Sequence, residues 1–253
     1  MSGYSAFSRY YDILTGNIDY KCRGAYFDKI IRRFGGKEGG ILLDLACGTG
    51  SLSEEMARLG YDVIGVDNSE EMLGMALDKK FESGLPIQYL CQDMTRLDMF
   101  GTIDVTICAL DSLNHLGSLS DIKRTVEKVS LFCEPGGLFI FDMNTPYKHK
   151  SILADKTYVY DMEEVFCVWQ NEYTGDSDNR VNICLDFFEK TDGKNELYSR
   201  SSEDFSEIAF DKSVIEDILT GAGFELLAEY DYDSDEPPTE ISEKIVYAAR
   251  KKK

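Results

Sequence analysis

Residues 41–50, ILLDLACGTG, decide the fold of this chain. They form an apolar run that contains one acid, Asp44, and then breaks into a turn with two glycines. A short apolar run of this kind is typical of a strand in a parallel sheet covered on both faces. A helical pattern follows, with apolar residues at Leu52, Met56 and Leu59. The local order is therefore strand, tight loop and helix, and the glycines let the backbone pass close to a ligand.

A dinucleotide-binding turn is the main alternative for this loop. That turn requires the pattern G-x-G-x-x-G, whose third glycine allows close helix packing, and Ser53 takes the third position here. Asp44, Glu54 and Glu55 also make the mouth of the loop negative. The pyrophosphate of a dinucleotide is disfavoured in such a field, and a cationic ligand fits it better.

Residues 44–50, DLACGTG, resemble the D-x-A/G-C-G-T-G signature of the class I S-adenosylmethionine-dependent methyltransferases. The resemblance continues through residues 61–67, YDVIGVD, which read as a second strand that ends in an acid. It implies an α/β fold with a Rossmann-like seven-stranded sheet, and S-adenosylmethionine as cofactor. That ligand carries a sulfonium, an ammonium and a carboxylate but no phosphate, which agrees with the negative loop.

The same resemblance implies which residues bind the cofactor. Asp67 is expected to hydrogen-bond the ribose hydroxyls, through charge-assisted bonds of about 1.5 to 3 kcal/mol each. Asp93 is expected to meet the adenine amino group, with Met94 covering the ring and Leu110 lying against the cofactor. The complete expected set is Tyr11, Tyr20, Asp44, Ala46, Gly48, Asp67, Asn68, Asp93, Met94 and Leu110.

Strand and helix patterns alternate through the rest of the expected sheet. Ser69 is a predicted helix N-cap, and a turn is predicted at residues 134–137, EPGG. Further strands are predicted over 87–94, 103–110, 138–142, 224–230 and 244–250, with helical stripes over 122–129 and 214–219.

A long segment separates the fifth strand from the helix that should follow it. Within this segment, strands are predicted over 165–173, 181–190 and 197–206, with turns at 174–179 and 191–194. We therefore expect an antiparallel β insert over residues 145–208 of a single methyltransferase domain, residues 1–253. Ligands of open α/β sheets bind beyond the carboxyl ends of the strands, so the insert is expected to cap the substrate site.

Residues 1–36 are expected to form an N-terminal lid and helix. Tyr4, Phe7 and Tyr10 crowd this segment. In related small-molecule methyltransferases, a lid touches the methionine end of the cofactor. That lid contains a Tyr-Asp pair followed by an Asp-Tyr pair, which correspond here to residues 11–12 and 19–20. Arg23 stands where many relatives carry Trp, and it either grips the methionine carboxylate or faces solvent.

Residues 110–116, LDSLNHL, resemble a loop of nucleotide-sugar amine N-methyltransferases and their uncharacterised bacterial relatives. The resemblance puts His115 near the path of methyl transfer. A nucleophile that arrives protonated needs a general base. Histidine has a pKa suited to that role at neutral pH. The alternative is that His115 is a hydrogen-bonded structural residue.

The composition limits which methyl acceptors are expected and indicates the cellular compartment. The formal net charge is −19, which opposes nonspecific attraction to nucleic acid or to anionic membranes. The seven cysteines form no C-x-x-C pair and the two histidines have no metal-ligand spacing, so we expect reduced thiols and no metal site. No apolar run approaches membrane-spanning length, so a cytoplasmic protein is expected.

The sequence therefore predicts a methyltransferase that acts on a small molecule, with an amine or similar nucleophile as acceptor. An amino sugar, another amine, a carboxylate and an RNA base all remain compatible with the cofactor half, and the oligomeric state stays open. Two other classes are kept as alternatives: a noncatalytic sensor that binds S-adenosylmethionine, and a nicotinamide oxidoreductase.

Overall fold

A seven-stranded sheet forms the centre of the computed structural model, which describes residues 5–163, 165–175, 177–191 and 197–253. The spatial order is β3-β2-β1-β4-β5-β11-β10; strands β1 to β5 are parallel, and β11 runs antiparallel to both of its neighbours. The strands are β1 (Ile41–Leu45), β2 (Asp62–Asp67), β3 (Gln88–Cys91), β4 (Ile103–Cys108), β5 (Cys133–Asn144), β10 (Phe224–Asp231) and β11 (Lys244–Lys251). The predicted Rossmann-like sheet is confirmed.

Helices cover both faces of this sheet. The helices on each face pack into a hydrophobic core cluster of their own. Helices α2 and α3 contribute Phe27 and Met56 to one cluster, and α5 and α6 contribute Val126 and Leu219 to the other. The helices are α1 (Ser5–Leu14), α2 (Tyr20–Arg33), α3 (Ser51–Arg58), α4 (Glu70–Ser83), α5 (Leu119–Phe132) and α6 (Lys212–Gly221). The predicted N-cap of α4 is confirmed, because Ser69 accepts a hydrogen bond from the Met72 nitrogen at 3.1 Å.

The prediction that the turn at residues 134–137 precedes the fifth strand is wrong, because β5 already begins at Cys133. Cys133 pairs with Ile103, and pairing then resumes between Leu138 and Val105, with a register shift in between. The Pro-Gly-Gly pattern therefore makes an irregularity inside the strand, where Gly136 has a φ of 88°.

A second, antiparallel sheet follows β5, with strand order β6-β7-β8-β9. Its strands are β6 (Thr157–Asp161), β7 (Val165–Tyr173), β8 (Val181–Lys190) and β9 (Tyr198–Glu207). The three predicted strands are confirmed within one residue, whereas β6, a short and mostly exposed edge strand, was missed. Positions 176 and 192–194 of the predicted turns lie outside the described residues. We call this second sheet the insert.

Helix α1 packs its apolar side chains on the insert. Phe7 and Tyr10 contact the small core of the insert, and the Tyr10 ring stacks on Phe187 with centroids 5.8 Å apart. Residues 1–4, which include Tyr4 of the expected lid, lie outside the described residues. Each helix of the described part is too short or too polar to span a bilayer.

Candidate active site

The turn after β1 is held by the carboxylate that ends β2. Asp67 accepts hydrogen bonds from the backbone nitrogens of Gly48 and Ser69, each at 2.9 Å. Ala46 and Gly48 have left-handed backbone, with φ values of 60° and 54°, so the chain reverses sharply here. Burial raises the pKa of Asp67, against the lowering effect of these hydrogen bonds. Each oxygen of the carboxylate still has a lone pair with which to bind a ligand.

Asp44 lies buried below this loop, next to Ser53. The Ser53 hydroxyl donates a 2.5 Å hydrogen bond to the Asp44 carboxylate, so the residue that replaces the third glycine of a dinucleotide fingerprint supports the acid. Burial, together with the negative charge of Asp67, raises the pKa of Asp44 to about 7. Gly50 has a φ of 77°, and a Cβ there would collide with the Tyr89 hydroxyl, which explains the glycine.

A small cavity of about 160 Å³ opens between the carboxyl ends of β1, β2 and β4. The structure brings six of the predicted site residues together around it: Ala46, Gly48, Asp67, Asn68, Met94 and His115. Its other walls are Phe7, Ser69, Met72, Ser112 and Leu116. We call this space the small cavity.

Asp93 does not line the small cavity. It is exposed and caps the short turn over Met94–Arg96, where its carboxylate accepts hydrogen bonds from the backbone nitrogen and the hydroxyl of Thr95, both at 2.8 Å. The role expected from the resemblance, contact with the adenine amino group, stays a prediction.

Tyr11 and Tyr20 lie on the two N-terminal helices. The Tyr11 ring lies over the glycine loop, with Cε1 4.0 Å from the place where Gly48 would carry a Cβ. Burial raises the pKa of both phenols, and for Tyr11 the proximity of Tyr20 adds to that effect. The loop therefore has an aromatic cover contributed by α1.

Helix α1 bridges the glycine loop and the insert. Towards the loop, Asp12 accepts a 2.7 Å hydrogen bond from the Thr49 hydroxyl and pairs with Lys79 at 2.6 Å. Towards the insert, Arg9 and Tyr10 both bind Glu189, at 2.9 and 2.8 Å.

A larger cavity of about 1140 Å³ lies between the strand ends, the insert and the connection from α1 to α2. Tyr158, Tyr160 and Trp169 contribute aromatic walls from the insert. Its lining includes six carboxylates, of Asp19, Asp111, Glu207, Asp231, Asp233 and Glu243, and three cations, Arg23, Lys148 and Lys244. Predicted residue Leu110 lies here and not at the small cavity. We call this space the large cavity.

The corner where β4 ends is strained and held by a buried acid. Leu110 and Asp111 have φ values of 57° and 53°, an unfavourable conformation for residues with a Cβ. Their backbone nitrogens donate to the two carboxylate oxygens of Asp142, at 2.9 and 2.6 Å. Asp142, which is completely buried, thus fixes the boundary between the two cavities.

Lys244 neutralises this acidic corner. Its ammonium lies 3.3 Å from the Asp111 carboxylate, 3.4 Å from that of Asp142 and 4.6 Å from the centre of the Tyr232 ring. Burial lowers the pKa of Lys244, but the two carboxylates raise it by more, so it stays protonated. Burial likewise raises the pKa of Asp111, and the positive charges of Lys244 and Lys148 outweigh that effect, so its pKa lies below the ordinary value.

Glu207, at the end of β9, brings the insert to both histidines of the chain. Its Oε1 lies 3.8 Å from His115 Nε2, and its Oε2 lies 3.3 Å from His149 Nε2 and accepts a 2.8 Å hydrogen bond from Asn144. His115 is about one-third exposed and packs against Phe205, whereas His149 is fully buried. His115 therefore lies between Glu207, which lines the large cavity, and the small cavity.

The structure corrects one of the two expectations for Arg23. It does not face solvent: its side chain is 7% exposed, pairs through both terminal nitrogens with Asp233 at 2.5 and 3.0 Å, and stacks on Tyr232. The ion pair lines the large cavity.

Asp142, Lys244, Glu207 and His149 are site residues that sequence reasoning missed. The sequence did carry a signal for Asp142, because this acid ends a predicted strand, as Asp67 does. The other three residues come from segments far from the motifs. Among the described residues, no group of three or more His, Cys, Asp or Glu could hold a metal ion.

Comparisons with known proteins agree with this geometry. A family model for a methyltransferase domain matches residues 42–137. A putative methyltransferase of Geobacillus sp. (strain WCH70) is 31% identical over 98% of this chain and 99% of its own length. The crystal structure of an S-adenosylmethionine-dependent methyltransferase from Clostridium acetobutylicum is 30% identical, with a TM-score of 0.87 over 100% of both chains. S-adenosylmethionine-bound CalS10, an amino pentose methyltransferase from Micromonospora echinaspora, shares the fold at 19% identity, with a TM-score of 0.74 over 96% of both chains.

Proposed function

Because this chain belongs to the class I S-adenosylmethionine-dependent methyltransferases, we propose that it methylates a small-molecule amine held in the large cavity. The observation that carries the proposal is the corner at residues 110–112. Leu110 and Asp111 line the large cavity, and the next residue, Ser112, lines the small one. An acceptor in the large cavity would thus lie beside a cofactor in the small one.

The donor set at the glycine loop fits this cofactor. The half-buried carboxylate of Asp67 supplies negative charge, and the nearby cation Lys79 is already paired with Asp12. This arrangement suits a sulfonium better than a pyrophosphate. We assign Asp67 to the ribose hydroxyls, Asn68, Met72 and Met94 to the adenosine, and Ala46, Gly48, Tyr11 and Tyr20 to the methionine end.

An amine acceptor is favoured by the charge of the large cavity. Its carboxylates outnumber its cations by six to three, and its aromatic walls can stack on a ring or a cation. The name of CalS10 says that it methylates an amino pentose, which is an acceptor of this kind. The net charge of −19 opposes an RNA substrate, and the free cysteines suit a reducing cytoplasm.

S-adenosylmethionine supplies an electrophilic methyl group, which passes to the acceptor nitrogen as the carbon–sulfur bond breaks with its electron pair left on sulfur. The chain contributes orientation, which is worth about 7 to 11 kcal/mol in well-aligned systems. It must also remove one proton from the nitrogen. We assign that task to His115, since its Nε2 faces Glu207 at the edge of the large cavity.

Replacing His115 with alanine is expected to lower kcat by about a hundredfold, the lower range for loss of a general base. The dissociation constant of S-adenosylmethionine should change by much less. Ser112→Ala, which alters the same turn and the same cavity, is the matched control and should retain most activity. Initial rates give kcat, and calorimetric titrations give the dissociation constant. An unchanged kcat in His115→Ala would show that His115 is not the general base.

The function is tested by incubating the protein with methyl-labelled S-adenosylmethionine and a panel of amines, amino sugars, alcohols and carboxylic acids. We expect label in amines and stoichiometric release of S-adenosylhomocysteine. Binding of the cofactor without turnover on any acceptor or on a cell extract would instead favour a sensor. Labelled carboxylates or alcohols, with amines untouched, would contradict the amine assignment.

A further inference from the structure

We propose that Glu207 Oε1 and His115 Nε2 form a two-point binding site for the acceptor nitrogen, which selects a primary amine over an alcohol. The inference rests on the proposed function and narrows its acceptor class. It makes Glu207, which the insert contributes, a specificity-determining residue.

The two oxygens of Glu207 have different surroundings. Oε2 is occupied, since it accepts from the Asn144 side chain at 2.8 Å and lies 3.3 Å from His149 Nε2. Oε1 forms no hydrogen bond within the described part of the chain, and Glu207 lines the large cavity. A buried carboxylate oxygen with unused lone pairs at the wall of a cavity is a place for a donor from a ligand.

The distance from Glu207 to His115 sets what that ligand can be. At 3.8 Å, Oε1 and Nε2 are too far apart to hydrogen-bond each other. A single atom can lie at about 2.9 Å from both. When Nε2 is unprotonated, as a base must be, both atoms are acceptors, so the bridging atom needs two hydrogens. A primary amine has them, and a hydroxyl has only one.

The surroundings of Glu207 keep its carboxylate in the ionised form that this role needs. Burial raises the pKa of Glu207, but the neighbouring imidazoles, that of His149 foremost, lower it by more, so the pKa lies below the ordinary value. Glu207 is therefore ionised and offers charge-assisted hydrogen bonds to an ammonium or amine.

The chain has only two histidines, so their ring nitrogens can be followed individually by NMR. The experiment uses the full chain labelled with ¹⁵N-histidine and saturated with S-adenosylhomocysteine. The probes are glucosamine and glucose, which differ by an amino group in place of a hydroxyl. We expect glucosamine to shift the His115 ring signals saturably, and glucose to bind at least tenfold more weakly. Glu207→Gln should weaken glucosamine binding by about ten- to a hundredfold.

Two further variants separate a lost contact from a damaged fold. Glu207→Asp keeps the charge and should recover part of the affinity. Glu225→Gln makes the same charge change at an exposed position outside the cavity and should bind within about twofold of wild type.

Each outcome decides the inference. Equal glucosamine affinity in wild type and Glu207→Gln, equal affinity for the two sugars, or no effect on the His115 signals at any soluble concentration would overturn it. Glu207-dependent binding in a protein that methylates no amine would refute the proposed function alone. Amine methylation that does not depend on Glu207 would refute only the two-point site.

Discussion

Replacing Asp142 with alanine is expected to lower the free energy of unfolding by about 3 to 5 kcal/mol, the range for breaking a buried ion pair on one side. The carboxylate is completely buried and binds the backbone nitrogens of Leu110 and Asp111. Its loss leaves both donors unsatisfied in a strained segment. It also leaves Lys244 with Asp111 as its remaining carboxylate partner among the described residues.

Urea unfolding followed by circular dichroism measures this change. Asp142→Asn keeps one acceptor oxygen and should be intermediate. Glu243→Ala, at an exposed position next to Lys244, should lie within about 0.5 kcal/mol of wild type. A loss below about 1 kcal/mol in Asp142→Ala would mean that the corner is not held as the hydrogen bonds indicate.

Replacing Asp67 with alanine is expected to weaken binding of S-adenosylmethionine by about ten- to a hundredfold, the effect of losing one charged hydrogen bond of about 1.5 to 3 kcal/mol. The side chain both lines the small cavity and holds the Gly48 nitrogen, so its loss removes a ligand contact and loosens the loop. Calorimetry gives the dissociation constants.

Asp62→Ala is the matched control for Asp67. It removes an exposed acid from the opposite end of the same strand and should leave cofactor affinity unchanged. If Asp67→Ala binds as tightly as wild type while Asp93→Ala does not, the ribose assignment is wrong and the acid after β3 is the principal anchor.

The parts of the site that sequence reasoning found are those built from neighbours in the chain. A strand, its terminal acid and the following glycine turn lie within residues 41–50, and their spacing carries the information. Asp67 belongs to the same pattern one strand later. The expectation that these residues share one sheet edge needed only the rule that parallel strands end together.

The remaining parts depend on contacts between distant segments, which no local pattern encodes. Arg23 pairs with Asp233, 210 positions away, so its burial was not predictable from the residues around it. Lys244 meets Asp111 only because β11 lies beside β5, and Glu207 reaches Asn144, 63 positions away, only because the insert returns to the sheet. Strand β6 was missed for a different reason, since its five residues, TYVYD, show no alternation of apolar and polar positions.

Helix α1 is attached to the insert by apolar contacts and to both the insert and the glycine loop by polar contacts. The ion pairs of Arg9 and Asp12 are partly exposed, and pairs of this kind contribute at most about 1 kcal/mol each. Because one helix contacts both the glycine loop and the insert, the proposed cofactor side and acceptor side of the site share a single structural support.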